Sequence, residues 1–303
     1  MTRLRIAVVV LAILMLAILA SSQGGQYGGG QYGGGQFGGG GFRGGGDDSV
    51  AHNDNGVGGS HHGRSGPPEA EFHFGRLKYS TYAFGGSHGF KQPFWAVDYP
   101  LAEEHFLAAL KRMSIINTAE DSQHLAAADP RLFEYPFLFM QQPGRGGWNP
   151  TTEECLRLRE YFDRGGFMLV DDFHGDYEWQ VFQAGMARIF PDRPIVDIPA
   201  TDALMHVFFD LDPTVPIPGR RHIRPGPNGP TIALPQPGCN RCMAGPPTWR
   251  GIYDEAGRLM VAMNFNMDMG DSWEHADDPE YPMINTGHGY RMGTNYIIYS
   301  MTH

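Results

Sequence analysis

The chain has 303 residues, of which 41% are hydrophobic, and its formal net charge at pH 7 is −10. This length suffices for one large domain with a buried core. An acidic protein lacks the positive surface that attracts nucleic acid or anionic lipid, so the composition argues against a nucleic-acid partner.

Residues 1–22 are typical of a secretory signal peptide. Arg3 and Arg5 precede an unbroken apolar run over residues 6–19, and a small-residue Ala-Ser-Ser segment follows. A membrane-spanning helix needs about 20 apolar residues, which is more than this run supplies. We therefore expect export to the periplasm or cell surface, with no membrane span after leader cleavage. A leader retained as an anchor is the alternative.

Residues 23–68 form a Gly-rich segment that contains consecutive Gln-aromatic-Gly-Gly-Gly repeats. Glycine loses more backbone entropy on ordering than any other residue, and one aromatic side chain per repeat cannot offset that loss. The composition predicts a disordered tether, followed by a single domain over residues 69–303.

The domain alternates helix and strand patterns. Thr151 and Glu154 have the spacing of a capping box, and the Gly-Gly pair at 165–166 ends the helix that they begin. The apolar run 167–170 is typical of a strand buried on both faces of a sheet. The other predicted elements are a strand in 71–82, a helix after Asp98 and Pro100, a strand in 132–140, a helix over 177–189, a strand over 194–198, an irregular Pro/Gly-rich segment over 213–247, a hairpin over 249–264 and a helix over 293–301. This order predicts an α/β layered sheet.

Six short segments in the domain carry a resemblance to a known family. They are Arg-Leu-Lys-Tyr at 76–79, Trp-Ala-Val-Asp-Tyr-Pro at 95–100, Tyr-Pro-Phe-Leu at 135–138, Gly-Gly-Phe-Met-Leu-Val-Asp-Asp at 165–172, Gly-Asp-Ser-Trp-Glu at 270–274 and Gly-Thr-Asn-Tyr-Ile-Ile-Tyr at 293–299. Together they resemble a bacterial family known only as domain of unknown function family 4159. The resemblance implies a three-layer flavodoxin-like sheet, similar to class I glutamine amidotransferases, with the Pro/Gly-rich segment as an insertion. It also implies an association with the cell envelope, and no established activity.

The first candidate site follows the buried strand at 167–170. Ligands of open α/β sheets bind beyond the carboxyl ends of the strands, and carboxylates there hold hard cations or act as acid and base. The candidates are Asp171, Asp172, His174, Asp176 and Glu178. Alternation along an extended chain points Asp171 and Asp172 to opposite sides, so one can face a cleft while the other caps the next element. Capping by both acids is the competing interpretation.

The second candidate site is a polar segment that follows the predicted hairpin. Its residues are Asn266, Asp268, Asp271, Trp273, Glu274 and His275. Acids beside an aromatic residue are typical of a binding loop, but a solvated acidic loop has the same composition. If both segments converge with Asp98, the domain has an acidic cleft. Trp95 and Asp98 are pocket candidates on this view; otherwise Trp95 packs on the first helix and Asp98 caps it.

The three cysteines do not predict an established cysteine chemistry. Cys155 falls on the apolar face of a predicted helix, where a thiol is inert packing, so we expect no glutaminase activity. No Gly-x-Ser-x-Gly elbow is present, so we also expect no serine hydrolase. Cys239 and Cys242 favour a local disulfide in an exported protein, with zinc or free thiols as alternatives.

Two hypotheses of function follow. The first is a non-catalytic or structural cell-envelope module that binds an envelope protein or glycan partner through the acidic cleft. The second is a metal-dependent hydrolase, in which Asp171, Asp172 and His174 bind a divalent cation and Asp268 or Asp271 assists.

Overall fold

The computed structural model describes residues 70–81, 83–85, 91–227, 229–232 and 246–303. The signal peptide, the tether, Cys239 and Cys242 lie outside these residues, so export, tethering and the disulfide stay predictions. Of the helices that are described, none has both the length and the apolar character needed to cross a membrane.

The elements alternate between strand and helix through most of the domain. The strands are β1 (Gly75–Lys78), β2 (Ala83–Gly85), β3 (Lys91–Pro93), β4 (Gln123–Ala126), β5 (Phe137–Gln141), β6 (Phe167–Phe173), β7 (Val196–Asp197), β8 (Ile223–Arg224), β9 (Thr231–Ile232), β10 (Thr248–Tyr253) and β11 (Leu259–Phe265). The α-helices are α1 (Leu101–Met113), α2 (Thr152–Asp163), α3 (Gly175–Ile189), α4 (Met269–Glu274) and α5 (Met283–Thr302). Short 3₁₀ helices cover Phe94–Ala96, Pro130–Glu134, Ala203–Met205 and Arg220–His222.

The central sheet has seven strands in the order β4-β1-β5-β6-β11-β10-β7. Neighbours from β4 to β11 pair in parallel, whereas β10 is antiparallel to both β11 and β7. This mixed α/β arrangement is compatible with the expected three-layer flavodoxin-like fold. The chain runs from β1 outward to β4 and then returns to β5 on the other side of β1. Such a reversal is where open α/β sheets form a crevice at the carboxyl ends of their strands.

Alternating side chains divide the core into two layers of contacts. Phe139 of β5 packs in one apolar cluster with Phe106 of α1 and Tyr296 of α5. Its neighbour Met140 packs in another cluster, with Leu158 of α2 among others. Helices therefore cover both faces of the sheet, and each fully buried apolar side chain stabilises the fold by about 2 kcal/mol.

Local signals in the sequence set several element ends correctly. Thr151 and Glu154 form the predicted capping box of α2, and Gly165, with a φ of 101°, follows the helix in the left-handed conformation. Cys155 is buried on the inner face of α2, and burial raises the pKa of its thiol. The hairpin forms as predicted from β10 and β11.

Other expectations about local structure were wrong. Asp98 does not cap α1: its φ is +64°, and Pro100, at the N-terminus of the helix, supplies no side-chain cap. The segment after β11 is not a solvated loop, because it contains helix α4, which Asp268 caps by accepting a hydrogen bond from the Asp271 amide at 3.0 Å. The strand expected over 71–82 is limited to β1, and β4 was not predicted. The C-terminal helix begins at Met283, ten residues earlier than expected.

Candidate functional site

A cavity of about 290 Å³ lies at the carboxyl ends of β5, β6 and β11. Its walls combine four carboxylates with three guanidinium groups, one amide and two apolar side chains. The lining residues are Phe94, Val97, Asp98, Gln142, Arg145, Asp172, Arg220, Arg221, Asp268 and Asp271. The two acidic segments singled out in the sequence therefore meet at one cavity, together with Asp98.

Asp171 and Asp172 at the end of β6 serve different purposes. Asp171 accepts hydrogen bonds from the backbone amides of Met269 and Gly270 at 2.7 and 2.8 Å, and from Asn264 Nδ2 at 2.9 Å. It therefore attaches the first turn of α4 to the sheet and does not line the cavity. Asp172 faces the cavity, so the two side chains diverge as alternation along the strand predicts.

Three side chains bind the Asp172 carboxylate. His174 Nε2 lies 3.1 Å and Arg221 Nη2 lies 3.3 Å from its Oδ1, and Gln142 donates a hydrogen bond to Oδ2. Burial alone would raise the pKa of Asp172, but these partners hold it below its usual range. An ionised carboxylate only accepts hydrogen bonds, so His174 Nε2 is the donor of that pair and His174 Nδ1 lacks a proton.

Among the described residues, the carboxylates opposite Asp172 have no arginine side chain as a partner, although Gln141 donates a hydrogen bond to Asp98. Burial raises the pKa of Asp98, Asp268 and Asp271, and repulsion among the neighbouring carboxylates raises it further. Asp271 accepts a hydrogen bond from the Arg220 backbone amide at 2.6 Å. The Arg220 guanidinium, in contrast, turns to Asp278, at 2.6 Å, and to Glu280.

Three groups of side chains are placed close enough together to hold a metal ion. They are Asp172–His174–Asp268, Asp98–Asp268–Asp271 and Asp271–Glu274–His275, each with its ligand atoms within 4.8 Å of one another. The first group is fully buried, the second is partly buried and the third is half-exposed. Asp268 belongs to the first two groups, so any ions held there would be neighbours.

Left-handed backbone conformations mark the rim of the cavity. Among the described residues, the non-glycine positions with positive φ are Asp98, Gln142, Asp172 and Asn266. Asp98, Gln142 and Asp172 line the cavity, and Asn266 accepts a hydrogen bond from the Gly175 amide at 3.0 Å at the start of α3. Each such conformation costs on the order of 1–3 kcal/mol and persists where surrounding contacts enforce it, which is common at functional sites.

Several candidates from the sequence lie away from the cavity wall. Trp273 is buried in the core, stacked on Phe106 with ring centroids 4.2 Å apart. Trp95 packs against His124, and it is the neighbouring Phe94 and Val97 that line the cavity.

Glu178 and Glu274 occupy two further positions. Glu178 accepts a hydrogen bond from the His174 amide at 2.8 Å, and burial raises its pKa to about 7. Burial raises the pKa of Glu274, and repulsion from Asp271 raises it further. Asp176 is exposed in the first turn of α3.

Sequence reasoning missed the basic wall of the cavity. Arg220, Arg221 and His222 come from the Pro/Gly-rich segment, and Gln142 and Arg145 follow β5. An Arg-Arg-His run in an otherwise irregular segment was the available signal. This run lies far along the chain from both acidic segments, so the sequence did not indicate that it shares a cavity with them.

Comparison with known proteins identifies the family. The chain matches the family described as Domain of unknown function (DUF4159) over residues 73–301, in agreement with the resemblance of the six short segments. No curated protein matches the chain significantly. The family description assigns no reaction, so any function must be argued from the cavity.

Proposed function

The chain belongs to the family Domain of unknown function (DUF4159), and from this premise we propose that it is an exported, non-catalytic cell-envelope module. In this proposal a divalent cation held by Asp98, Asp268 and Asp271 completes a surface that binds a polar partner. The leader at residues 1–22 supports export, and the Gly-rich segment after it would give the domain reach.

The proximity of these three carboxylates carries the proposal. Their ligand oxygens lie within 4.8 Å of one another on the cavity wall. Among the residues that are described, no Lys or Arg side chain forms an ion pair with any of the three, although Arg220 and Arg221 line the same cavity. Oxygen-only sets of this kind suit hard cations such as Mg²⁺ and Ca²⁺.

A bound cation would also relieve an electrostatic cost. Burial first, and then repulsion from neighbouring carboxylates, raises the pKa of Asp98, Asp268 and Asp271, so folding disfavours their ionised forms. A divalent ion replaces the protons that otherwise neutralise them, so binding should release protons.

Calorimetric titration of the metal-free protein with Mg²⁺ and Ca²⁺ tests the cation. We expect one ion per chain, with proton release, and no binding in Asp271→Asn. Asp277→Asn is the matched control, because Asp277 is exposed on the segment that follows α4. Absence of cation binding in the unchanged protein would refute the proposal.

The partner requires a separate experiment. An envelope protein or a glycan is the expected class. Crosslinking on intact cells should recover such a partner through the domain, and it should do so less in Asp271→Asn than in Asp277→Asn.

A metal-dependent hydrolase is the second candidate, and one observation favours it. Asp172 lines the cavity with a left-handed backbone near the end of β6, and it contacts the fully buried His174. Such a pair positions a general base beside an ion-bound water. Cation-dependent turnover of phosphate or carboxylate esters that is lost in His174→Gln would establish this function over the first.

A further inference from the structure

A second metal site lies beside the oxygen-only one. We propose that Asp172, His174 and Asp268 hold a transition-metal ion such as Zn²⁺ or Co²⁺, with Asp268 shared between this ion and the one at Asp98 and Asp271. The shared ligand rests on the proposed function, whereas the nitrogen-containing site can be tested alone.

The geometry of the three residues favours a bound ion. Their ligand atoms lie within 4.8 Å of one another, and the side chains of Asp172, His174 and Asp268 are all buried. Asp172 Oδ1 lies 3.1 Å from His174 Nε2, so an ion bound between them would replace the proton that Nε2 donates to the carboxylate.

Two nitrogens without hydrogen-bond partners lie beside this group. His174 Nδ1 and His222 Nδ1 are both buried without a hydrogen-bond partner, in residues that are 0% and 7% exposed. The two rings are adjacent, with centroids 4.6 Å apart. A buried nitrogen without a partner costs about 1–3 kcal/mol, so these two rings have donor capacity that the hydrogen bonds of the fold do not use.

Nitrogen donors determine the class of metal. Imidazole suits Zn²⁺, Co²⁺ and Cu²⁺, whereas Mg²⁺ and Ca²⁺ prefer oxygen. The buried group therefore differs in selectivity from the oxygen-only group. His222 is a further nitrogen donor beside His174.

Arg221 acts as the competitor for this site. Its Nη2 lies 3.3 Å from Asp172 Oδ1, and its side chain is 38% exposed, which leaves it free to move to solvent when a cation arrives. Removal of this positive charge should favour the metal. A purely structural role for Asp172 and His174 makes no such prediction.

Co²⁺ titration of the full-length metal-free protein tests the inference, followed by visible absorption and by metal analysis after dialysis. We expect two bound ions in the unchanged chain and one in His174→Gln, with the Co²⁺ dissociation constant at the lost site raised at least about 100-fold. His206→Gln is the matched control, since His206 is an exposed histidine paired with Asp210. It should leave both ions in place.

Arg221→Met keeps every proposed ligand, so it tests the inference even if the His174→Gln protein does not fold. We expect it to lower the Co²⁺ dissociation constant about tenfold. Unchanged Co²⁺ stoichiometry in a folded His174→Gln protein, or unchanged or weaker Co²⁺ binding in Arg221→Met, would overturn the inference.

The two proposals fail separately. Binding of Mg²⁺ without any His174-dependent Co²⁺ would remove only the second site. Binding of Co²⁺ through His174 without any Mg²⁺ would remove only the first.

Discussion

Asp271→Asn should stabilise the protein in cation-free buffer and abolish its response to Mg²⁺. Asp271 lies with Asp98 and Asp268 in one group whose ligand atoms are within 4.8 Å of one another. At that distance and an effective dielectric constant near 20, two unit charges repel by about 3.5 kcal/mol. The asparagine is nearly isosteric, and its Oδ1 can still accept the hydrogen bond that the Arg220 amide donates at 2.6 Å.

The net gain is smaller than the Coulomb figure. The raised pKa of Asp271, caused first by burial and then by Asp172, means that a proton already relieves part of the repulsion. We therefore expect the free energy of unfolding to rise by about 1–3 kcal/mol, which corresponds to a Tm increase of about 3–10 °C for a domain of this size.

Thermal unfolding with and without Mg²⁺ measures both effects. The unchanged protein should gain about 2.7 kcal/mol at an Mg²⁺ concentration 100 times the dissociation constant, whereas Asp271→Asn should gain nothing. Asp277→Asn should behave like the unchanged protein in both buffers. A lower Tm for Asp271→Asn without cation would mean that the carboxylate supports the fold, and the argument from repulsion would be refuted.

Three further predictions concern pH, packing and a buried ion pair. Burial raises the pKa of Asp171 from 3.8 to about 7, so the stabilisation from its protonated form is full below about pH 4 and is lost as the pH rises through 7. Urea titrations between pH 4 and pH 7 should show the contribution of Asp171 to the free energy of unfolding falling by at most about 4 kcal/mol. A free energy of unfolding that does not change over this range would contradict the prediction. In Gly270→Ala the new Cβ would lie 2.2 Å from Asp98 Oδ2, so calorimetry should show that Mg²⁺ binding is lost. The free energy of unfolding should fall by about 1–3 kcal/mol. Retained Mg²⁺ binding would exclude Asp98 as a ligand. The buried carboxylate of Glu103 lies 2.5 Å from Arg76 Nε, and Arg76→Met would leave it without this partner. Chemical denaturation should show the free energy of unfolding falling by about 3–5 kcal/mol. The double variant Arg76→Met with Glu103→Gln should recover part of that loss.

Local patterns in the sequence were sufficient for much of the fold. The buried run of β6, the capping box at Thr151 and the turn between β10 and β11 depend on residues close together in the chain, and all three form as predicted. Local sequence patterns failed to predict the structure where tertiary contacts override local conformational preference. Asp98 has the residue type of a helix cap, yet its carboxylate faces the cavity beside Gly270, in a left-handed backbone that propensity does not favour.

The sequence likewise predicted only part of the candidate site. Acids following β6 and β11 could be named, because parallel strands place their carboxyl ends at one edge of a sheet. Alternation along the strand predicted that Asp171 and Asp172 diverge, but which of the two faces the cavity could not be assigned, since that depends on tertiary neighbours. Arg221 and His222 were missed because the segment that carries them has no periodic pattern to place it.

The sequence by itself determined the family, the α/β class and the acidic character of the candidate site, and it predicts the leader and the tether. These properties follow from composition, from short-range periodicity and from motifs whose residues are neighbours in the chain. Only the tertiary structure decided that Asp98, Asp172, Asp268 and Asp271 share one cavity with Arg221, and that His174 and His222 have buried nitrogens without partners. The physical reason is that charge repulsion, desolvation and metal-ligand geometry depend on distances of a few ångströms between residues that the chain separates by up to 173 positions.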